Sequence, residues 1–168
     1  MKLHNTIHPD LDEAQTLAYE QIGLTYSKLI NEAESHEYGA CTFEINNKNI
    51  KFRVAKITPI KAGQFVSFWK RIVTNTTTPQ DMSDPFDFLV VSVRDGNRFG
   101  QFVFPKNVLW QKGFVSKDGK GGKRAMRVYP PWDKTESPQA KRTQAWQILY
   151  FAEIQPHLDI AKIQKLLK

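Results

Sequence analysis

The clearest alternation of apolar and polar positions lies in the middle of the chain and predicts a β-hairpin. Asp87–Arg94 and Arg98–Phe104 are rich in valine and phenylalanine, and they flank Asp95-Gly96-Asn97. An Asp-Gly pair between two such runs is a strong turn signal. The hairpin therefore forms the centre of any predicted sheet.

Shorter apolar runs bounded by Gly, Pro or Asn predict further strands. These strands are Cys41–Ile45, Ile50–Ala55, Gln64–Ile72 and Ala125–Tyr129. Helical spacing and capping signals predict four helices. They cover Asp12–Ser35, Lys106–Lys112, Ser137–Glu153 and Leu158–Leu167. This order indicates an α+β fold, with a mostly antiparallel or mixed central sheet backed by the first and third of these helices.

The length of 168 residues favours one domain over residues 1–168, with residues 1–9 as a flexible tail. The single cysteine, Cys41, has no internal disulfide partner and fits a reducing compartment. No apolar run reaches the roughly 20 residues that a membrane span requires. We therefore expect a cytoplasmic protein that has no membrane partner.

The net charge of +7 is distributed unevenly along the chain. Residues 10–44 hold eight acids and one base, whereas residues 105–145 hold ten bases and three acids. A strongly basic body favours a polyanionic partner and a salt-sensitive encounter. A basic surface that is merely solvated is the alternative.

The basic residues concentrate in the glycine-rich segment Gly113–Trp132. Glycines let the backbone approach a ligand, lysines and arginines neutralise phosphates, and aromatic rings stack on bases. We therefore predict nucleic acid, DNA or RNA, as the partner. The predicted contact residues are Lys120, Lys123, Arg124, Arg127, Tyr129 and Trp132. A charged hairpin tip without a ligand is the alternative.

A candidate metal-dependent site follows from the predicted pairing of the hairpin. If Asp95-Gly96-Asn97 is a three-residue loop, Asp87, Gln101 and Val103 share one face. Many nucleases place Asp and Glu-x-Lys on such a hairpin to hold Mg²⁺. Here glutamine replaces the second acid and valine replaces the lysine. Asp87 is thus the predicted magnesium ligand, with Gln101 and Lys56 as further catalytic candidates. Alternatively, Asp87 ends a strand and Lys56 extends into solvent.

Several longer motifs resemble the MepB family of small bacterial proteins. They are Phe52–Val66, Trp69–Arg71, Pro85–Asp87, Gly100–Lys106, Gly121–Arg124, Arg127–Trp132 and Thr143–Gln147. The resemblance implies a fold similar to type II restriction endonucleases, and hence nucleic-acid binding. Of the usual metal-site residues on the hairpin, the sequence keeps only Asp87.

These observations favour a nucleic-acid-binding protein of endonuclease-like fold whose cleavage is weak or absent. An active magnesium-dependent nuclease is the first alternative. A regulatory protein that binds an acidic partner or a small anion is the second. The sequence specifies neither DNA nor RNA, and it leaves the oligomeric state open.

Overall fold

The computed structural model describes residues 6–168. In chain order, the strands are β1 (Ser27–Asn31), β2 (Cys41–Ile45), β3 (Lys48–Val54), β4 (Lys56–Ile57), β5 (Gln64–Ser67), β6 (Lys70–Arg71), β7 (Thr77–Thr78), β8 (Phe88–Asp95), β9 (Arg98–Pro105), β10 (Ala125–Val128) and β11 (Phe151–Gln155). The α-helices are α1 (Pro9–Ala14), α2 (Lys106–Gln111), α3 (Pro138–Gln147) and α4 (Ile160–Leu166).

Six strands form a central sheet in the order β1-β2-β3-β8-β9-β11. Strands β3 and β8 run parallel, and every other neighbouring pair is antiparallel. A smaller antiparallel sheet has the order β10-β5-β4, and β6 pairs with β7. The predicted α+β class, with a mixed central sheet flanked by helices, is confirmed.

Both faces of the central sheet are covered. Successive side chains of a strand point to opposite faces, so Val90 and Val91 belong to different apolar clusters. The first cluster contains residues of α1 and α4, such as Leu11 and Ile163. The second contains residues of α2 and the smaller sheet, such as Leu109. The smaller sheet thus lies against the second face, and its own outer face carries the site described below.

The predicted helix Asp12–Ser35 was wrong in its second half. Helix α1 continues through a π turn and a 3-10 turn to Ile22, and Gly23 ends it at φ +72°. A left-handed glycine is the usual end of a helix. The chain then forms β1, the edge strand of the sheet, which pairs with β2. Its backbone N–H and C=O groups hydrogen-bond to those of β2, which a helix at this position could not do.

The predicted helix Ser137–Glu153 was correct at its start and wrong at its end. The Ser137 hydroxyl accepts the Ala140 N–H at 3.1 Å and caps α3. Beyond Tyr150 the chain becomes β11, whose Phe151 pairs with Phe102 of β9. The open edge of β9 requires hydrogen-bond partners, and this requirement overrides the local helical pattern.

The other predicted strands and helices agree with the structure, except that one predicted strand is two separate strands. The predicted strand Gln64–Ile72 separates into β5 and β6, which belong to different sheets. Residues 1–5 of the predicted tail lie outside the described residues, and Pro9 already begins α1. His8 Nδ1 accepts the Asp10 N–H at 3.0 Å, so His8 belongs to the helix start. No helix within residues 6–168 is long and apolar enough to span a bilayer.

Candidate nucleic-acid interface

The predicted register of the central hairpin was wrong by one residue. The turn contains two residues instead of three, so Gln101 lies opposite Ser92 and not Val91. A one-residue shift moves a side chain to the other face of a sheet. Gln101 therefore points into the cluster around α1, whereas Asp87 precedes β8 at the far end of the hairpin.

Asp87 lies directly before β8, where it bonds to the backbone of Asn49. Its exposed carboxylate accepts the Asn49 N–H at 2.7 Å, and its own N–H donates to the Asn49 carbonyl at 2.8 Å. Within residues 6–168, no group of three or more His, Cys, Asp or Glu side chains converges. The residues around Asp87 therefore do not fit the predicted magnesium centre.

Gln101 is a satisfied core residue. Its Oε1 accepts the Tyr19 hydroxyl at 2.5 Å, and its Nε2 donates to Ser92 Oγ at 2.9 Å. Burial raises the pKa of Tyr19, so the phenol remains a donor at all ordinary pH values. This amide connects α1 and its π turn to the sheet and is not available to a substrate.

Removing the Tyr19 hydroxyl should destabilise the fold. We expect Tyr19→Phe to lower the free energy of unfolding by about 1–3 kcal/mol, because a buried amide oxygen of Gln101 loses its donor. Urea unfolding measures this loss. Tyr26→Phe, at a half-buried ring, is the matched control and should change little. Equal losses in the two variants would contradict the role given to the Tyr19–Gln101 bond.

Lys56 also lies away from Asp87. It belongs to β4 of the smaller sheet, opposite Phe65. Its exposed Nζ is 3.8 Å from a Glu37 carboxylate oxygen and 4.7 Å from the centre of the Tyr38 ring. The structure thus does not bring Asp87, Gln101 and Lys56 together, and the predicted catalytic arrangement was wrong.

The glycine-rich basic loop is anchored by a carboxylate. Asp81 Oδ1 accepts the Ser116 hydroxyl at 2.7 Å and the Gly119 N–H at 3.3 Å. Donation from the Ser83 N–H and from the hydroxyls of Ser116 and Ser83 holds the pKa of Asp81 well below its ordinary range. Asp81 therefore stays ionised and fixes one side of the loop.

Close backbone packing anchors the other side of the loop. Gly122 has φ +84°, and a Cβ at this position would lie 2.7 Å from Pro79 Cβ and 2.9 Å from the Ser116 nitrogen. The Lys123 N–H donates to the Phe114 carbonyl at 3.0 Å. These contacts hold the basic loop in place, so its lysines project from a defined backbone.

A groove of about 800 Å³ lies between the outer face of the smaller sheet and the start of α3. Its cationic lining residues are Lys61, Lys123, Arg127 and Lys134, and its aromatic ones are Phe65, Phe114 and Tyr129. Among the described residues that line it, Glu136 is the one acid. We call this surface the basic groove. Four cations against one carboxylate favour an anionic ligand.

Three of the six predicted contact residues line the basic groove: Lys123, Arg127 and Tyr129. Arg127 Nη1 donates to the Thr58 hydroxyl at 2.8 Å and to the Gly63 carbonyl at 3.4 Å, which fixes the guanidinium. The Tyr129 N–H donates to Gln147 Oε1 at 2.8 Å. Half of the predicted contact residues therefore meet in one groove, and their contact with nucleic acid stays a prediction.

The other three predicted contact residues lie outside the groove lining. Lys120 is exposed in the anchored loop, and Arg124 donates to the Thr77 hydroxyl and carbonyl at 3.1 and 2.9 Å. Trp132 packs edge-on against Phe151 at 5.7 Å between ring centres. Its indole Nε1 is buried and its half-buried ring packs against the second core cluster, so Trp132 does not line the groove.

Sequence reasoning missed Lys61, Lys134, Phe65 and Phe114 as groove residues. Lys61 follows Thr58-Pro59, a pair that predicts a turn but gives no indication of a ligand. The distance along the chain between Lys61 and Lys134 hides their proximity. Only the pairing of β5 with β10 brings the two segments together.

Comparisons with known proteins agree with the motif resemblance. A family model described as MepB-like matches residues 32–153. The crystal structure of MepB is 34% identical, with a TM-score of 0.75 over 79% of this chain and 89% of that one. The bacterial homing endonuclease I-Ssp6803I is 17% identical, with a TM-score of 0.45 over 83% and 89%. A likeness at that level says nothing about function. The curated proteins include no match.

Proposed function

This chain belongs to the MepB-like family, and we propose that it binds nucleic acid in the basic groove without cleaving it at Asp87. The observation that carries the proposal is the set of four cations around three aromatic rings in one groove. Phosphates supply the complementary charge, and bases or sugars supply surfaces for the rings. The anchored loop presents Lys123 without the entropic cost of ordering a flexible segment.

Binding without cleavage follows from the hairpin register. Gln101 is committed to Tyr19 and Ser92, and the Asp87 carboxylate is committed to Asn49. A magnesium ion that supports hydrolysis requires several oxygen ligands around one point, and within residues 6–168 Asp87 belongs to no group of three or more His, Cys, Asp or Glu side chains. We therefore propose that binding requires no magnesium and persists in EDTA.

The proposal is tested by polarisation titrations of labelled DNA and RNA at several salt concentrations. For Lys123→Ala/Lys134→Ala, we expect the slope of log affinity against log salt to flatten by roughly 1.4–1.8, since each lost phosphate contact contributes about 0.7–0.9. The affinity of this variant for nucleic acid at low salt should also be lower than that of the wild type. The titrations are repeated with magnesium and with EDTA, and the oligonucleotides are recovered to check that they remain intact.

The matched control removes the same charge elsewhere. Lys165→Ala/Lys168→Ala changes two lysines at the C-terminal end, where α4 packs on the opposite face of the central sheet. We expect a nearly unchanged salt slope. Equal slopes for the two double variants, or no binding of any nucleic acid at low salt, would refute the proposal.

A further inference from the structure

The outer face of the smaller sheet presents aromatic rings between charged side chains. Lys56, Phe65 and Arg127 lie side by side across β4, β5 and β10. Their neighbours Val66 and Met126 have the opposite orientation and are buried in the core. This face therefore presents the half-exposed Phe65 ring between the cations Lys56 and Arg127. Apolar rings are normally buried by other parts of a protein, so the exposure of Phe65 calls for an explanation.

The rings of this face are held in position. Phe65 packs against Tyr38 at 6.3 Å between ring centres. Tyr129 lies against Gly63, where a Cβ would come within 2.7 Å of two ring atoms. Both rings are only half-buried, so each retains accessible surface. Fixed rings lose little conformational freedom when a ligand stacks on them.

We propose that the basic groove binds single-stranded nucleic acid, with unpaired bases stacked on Phe65 and Tyr129 and phosphates on the surrounding cations. This proposal rests on the proposed function and specifies its substrate. A double helix keeps the faces of its bases inside the stack, so exposed rings gain nothing from them. Unpaired bases offer those faces to aromatic side chains.

The size of the groove agrees with this ligand. Its volume of about 800 Å³ falls in the range of roughly 300–1,000 Å³ that is typical of small-molecule pockets. Such a volume can hold one or two nucleotides. Lys61 precedes β5 and Lys134 follows β10, and both line the groove together with the rings, where they can contact phosphates of one strand.

The test compares one labelled strand, alone and annealed to its complement, as DNA and as RNA. We expect the single strand to bind at least tenfold more tightly than the duplex in both chemistries. Phe65→Leu and Tyr129→Leu should each weaken single-strand binding by about 5–100-fold, because a base loses its stacking partner. The salt slope should not change, since no charge is removed.

Three controls distinguish a loss of base stacking from a loss of folding. Tyr129→Phe retains the ring and should retain the affinity, which separates stacking from a loss of folding. Tyr26→Leu removes a half-buried ring that packs in the other core cluster and should leave binding unchanged. Thermal unfolding of each variant confirms that it is folded.

The outcomes separate the two proposals. Binding that is as tight for the duplex as for the single strand, or that survives both leucine substitutions, would overturn the single-strand proposal. In that case, a slope that still flattens in Lys123→Ala/Lys134→Ala leaves nucleic-acid binding intact. The absence of binding to all four nucleic acids would refute the proposed function itself.

Discussion

Replacing Arg53 with methionine should lower the free energy of unfolding by about 3–5 kcal/mol, because a largely buried carboxylate, Glu32, keeps only Lys51 of its two cationic partners and buried carbonyls lose a donor. Arg53 is 1% exposed and donates through Nη1 to Glu32. Its Nε also donates to the Ser67 carbonyl at 3.1 Å and its Nη1 to the Phe52 carbonyl at 2.8 Å, so three acceptors lose a donor at once. Urea unfolding of the variant and the wild type at neutral pH measures the loss.

The same substitution at an exposed pair provides the control. Arg71 Nε lies 2.9 Å from a Glu34 carboxylate oxygen, and both side chains remain about one third exposed. Water already solvates both groups, so Arg71→Met should cost less than about 1 kcal/mol. If Arg53→Met costs no more than Arg71→Met, burial of the Arg53–Glu32 pair does not stabilise the fold.

The effect of Arg53→Met should diminish in acid. Burial alone would disfavour the ionised form of Glu32, but Arg53 and Lys51 outweigh it and lower the pKa of Glu32. A carboxyl with a lowered pKa in the folded state stabilises the protein above its unfolded pKa. That contribution is lost as the pH falls through the folded value. The difference between wild type and Arg53→Met should therefore narrow on acidification.

Arg53 shows why the alternation of apolar and polar residues predicts where a strand lies better than it predicts which side chains are buried. In β3, Phe52 points into the cluster around α1, and Arg53 has the opposite orientation. Where one face of a sheet meets water, that alternation would place the arginine in solvent. Here Ser67 of β5 and Glu32 cover the second face. Such coverage comes from distant segments and leaves no signal in the local pattern.

The central hairpin shows the same limit at the level of register. The apolar runs and the Asp-Gly signal identified both strands within one residue of their ends. The turn, however, has two residues and not the predicted three, so the side chains of β9 lie on the opposite face of the sheet from the one predicted relative to β8. Because side chains alternate with a period of two, this single difference separated Asp87 from Gln101 and removed a predicted catalytic site.

The basic groove was predictable in part, since a dense cluster of charges is a local signal. Lys123, Arg127 and Tyr129 are near one another in sequence and belong to the segment that the glycines and lysines indicated. Lys61 and Lys134 join them only through the pairing of β4, β5 and β10. The position of the loop before β5 therefore decides whether the groove is complete.

Gly63 sets the position of that loop. It has φ +82°, in the left-handed region that favours glycine, and it directly precedes β5. Its carbonyl accepts Arg127 Nη1, and its Cα lies against the Tyr129 ring. One backbone position thus holds both a cation and a stacking ring of the groove.

Gly63→Ala should lower the free energy of unfolding by about 2–5 kcal/mol, combining roughly 1–2 for the left-handed backbone with roughly 1–3 for overpacking. The added Cβ would lie 2.7 Å from the Tyr129 ring and 2.8 Å from the Val128 carbonyl oxygen, and backbone atoms cannot move aside cheaply. Gly96→Ala is the matched control, because it has φ +60° and nothing within 4 Å of the new Cβ. It should show only the backbone cost, with unchanged nucleic-acid affinity. Urea unfolding and polarisation titration measure both variants, and equal losses at Gly63 and Gly96 would show that the contact with Tyr129 does not constrain the groove.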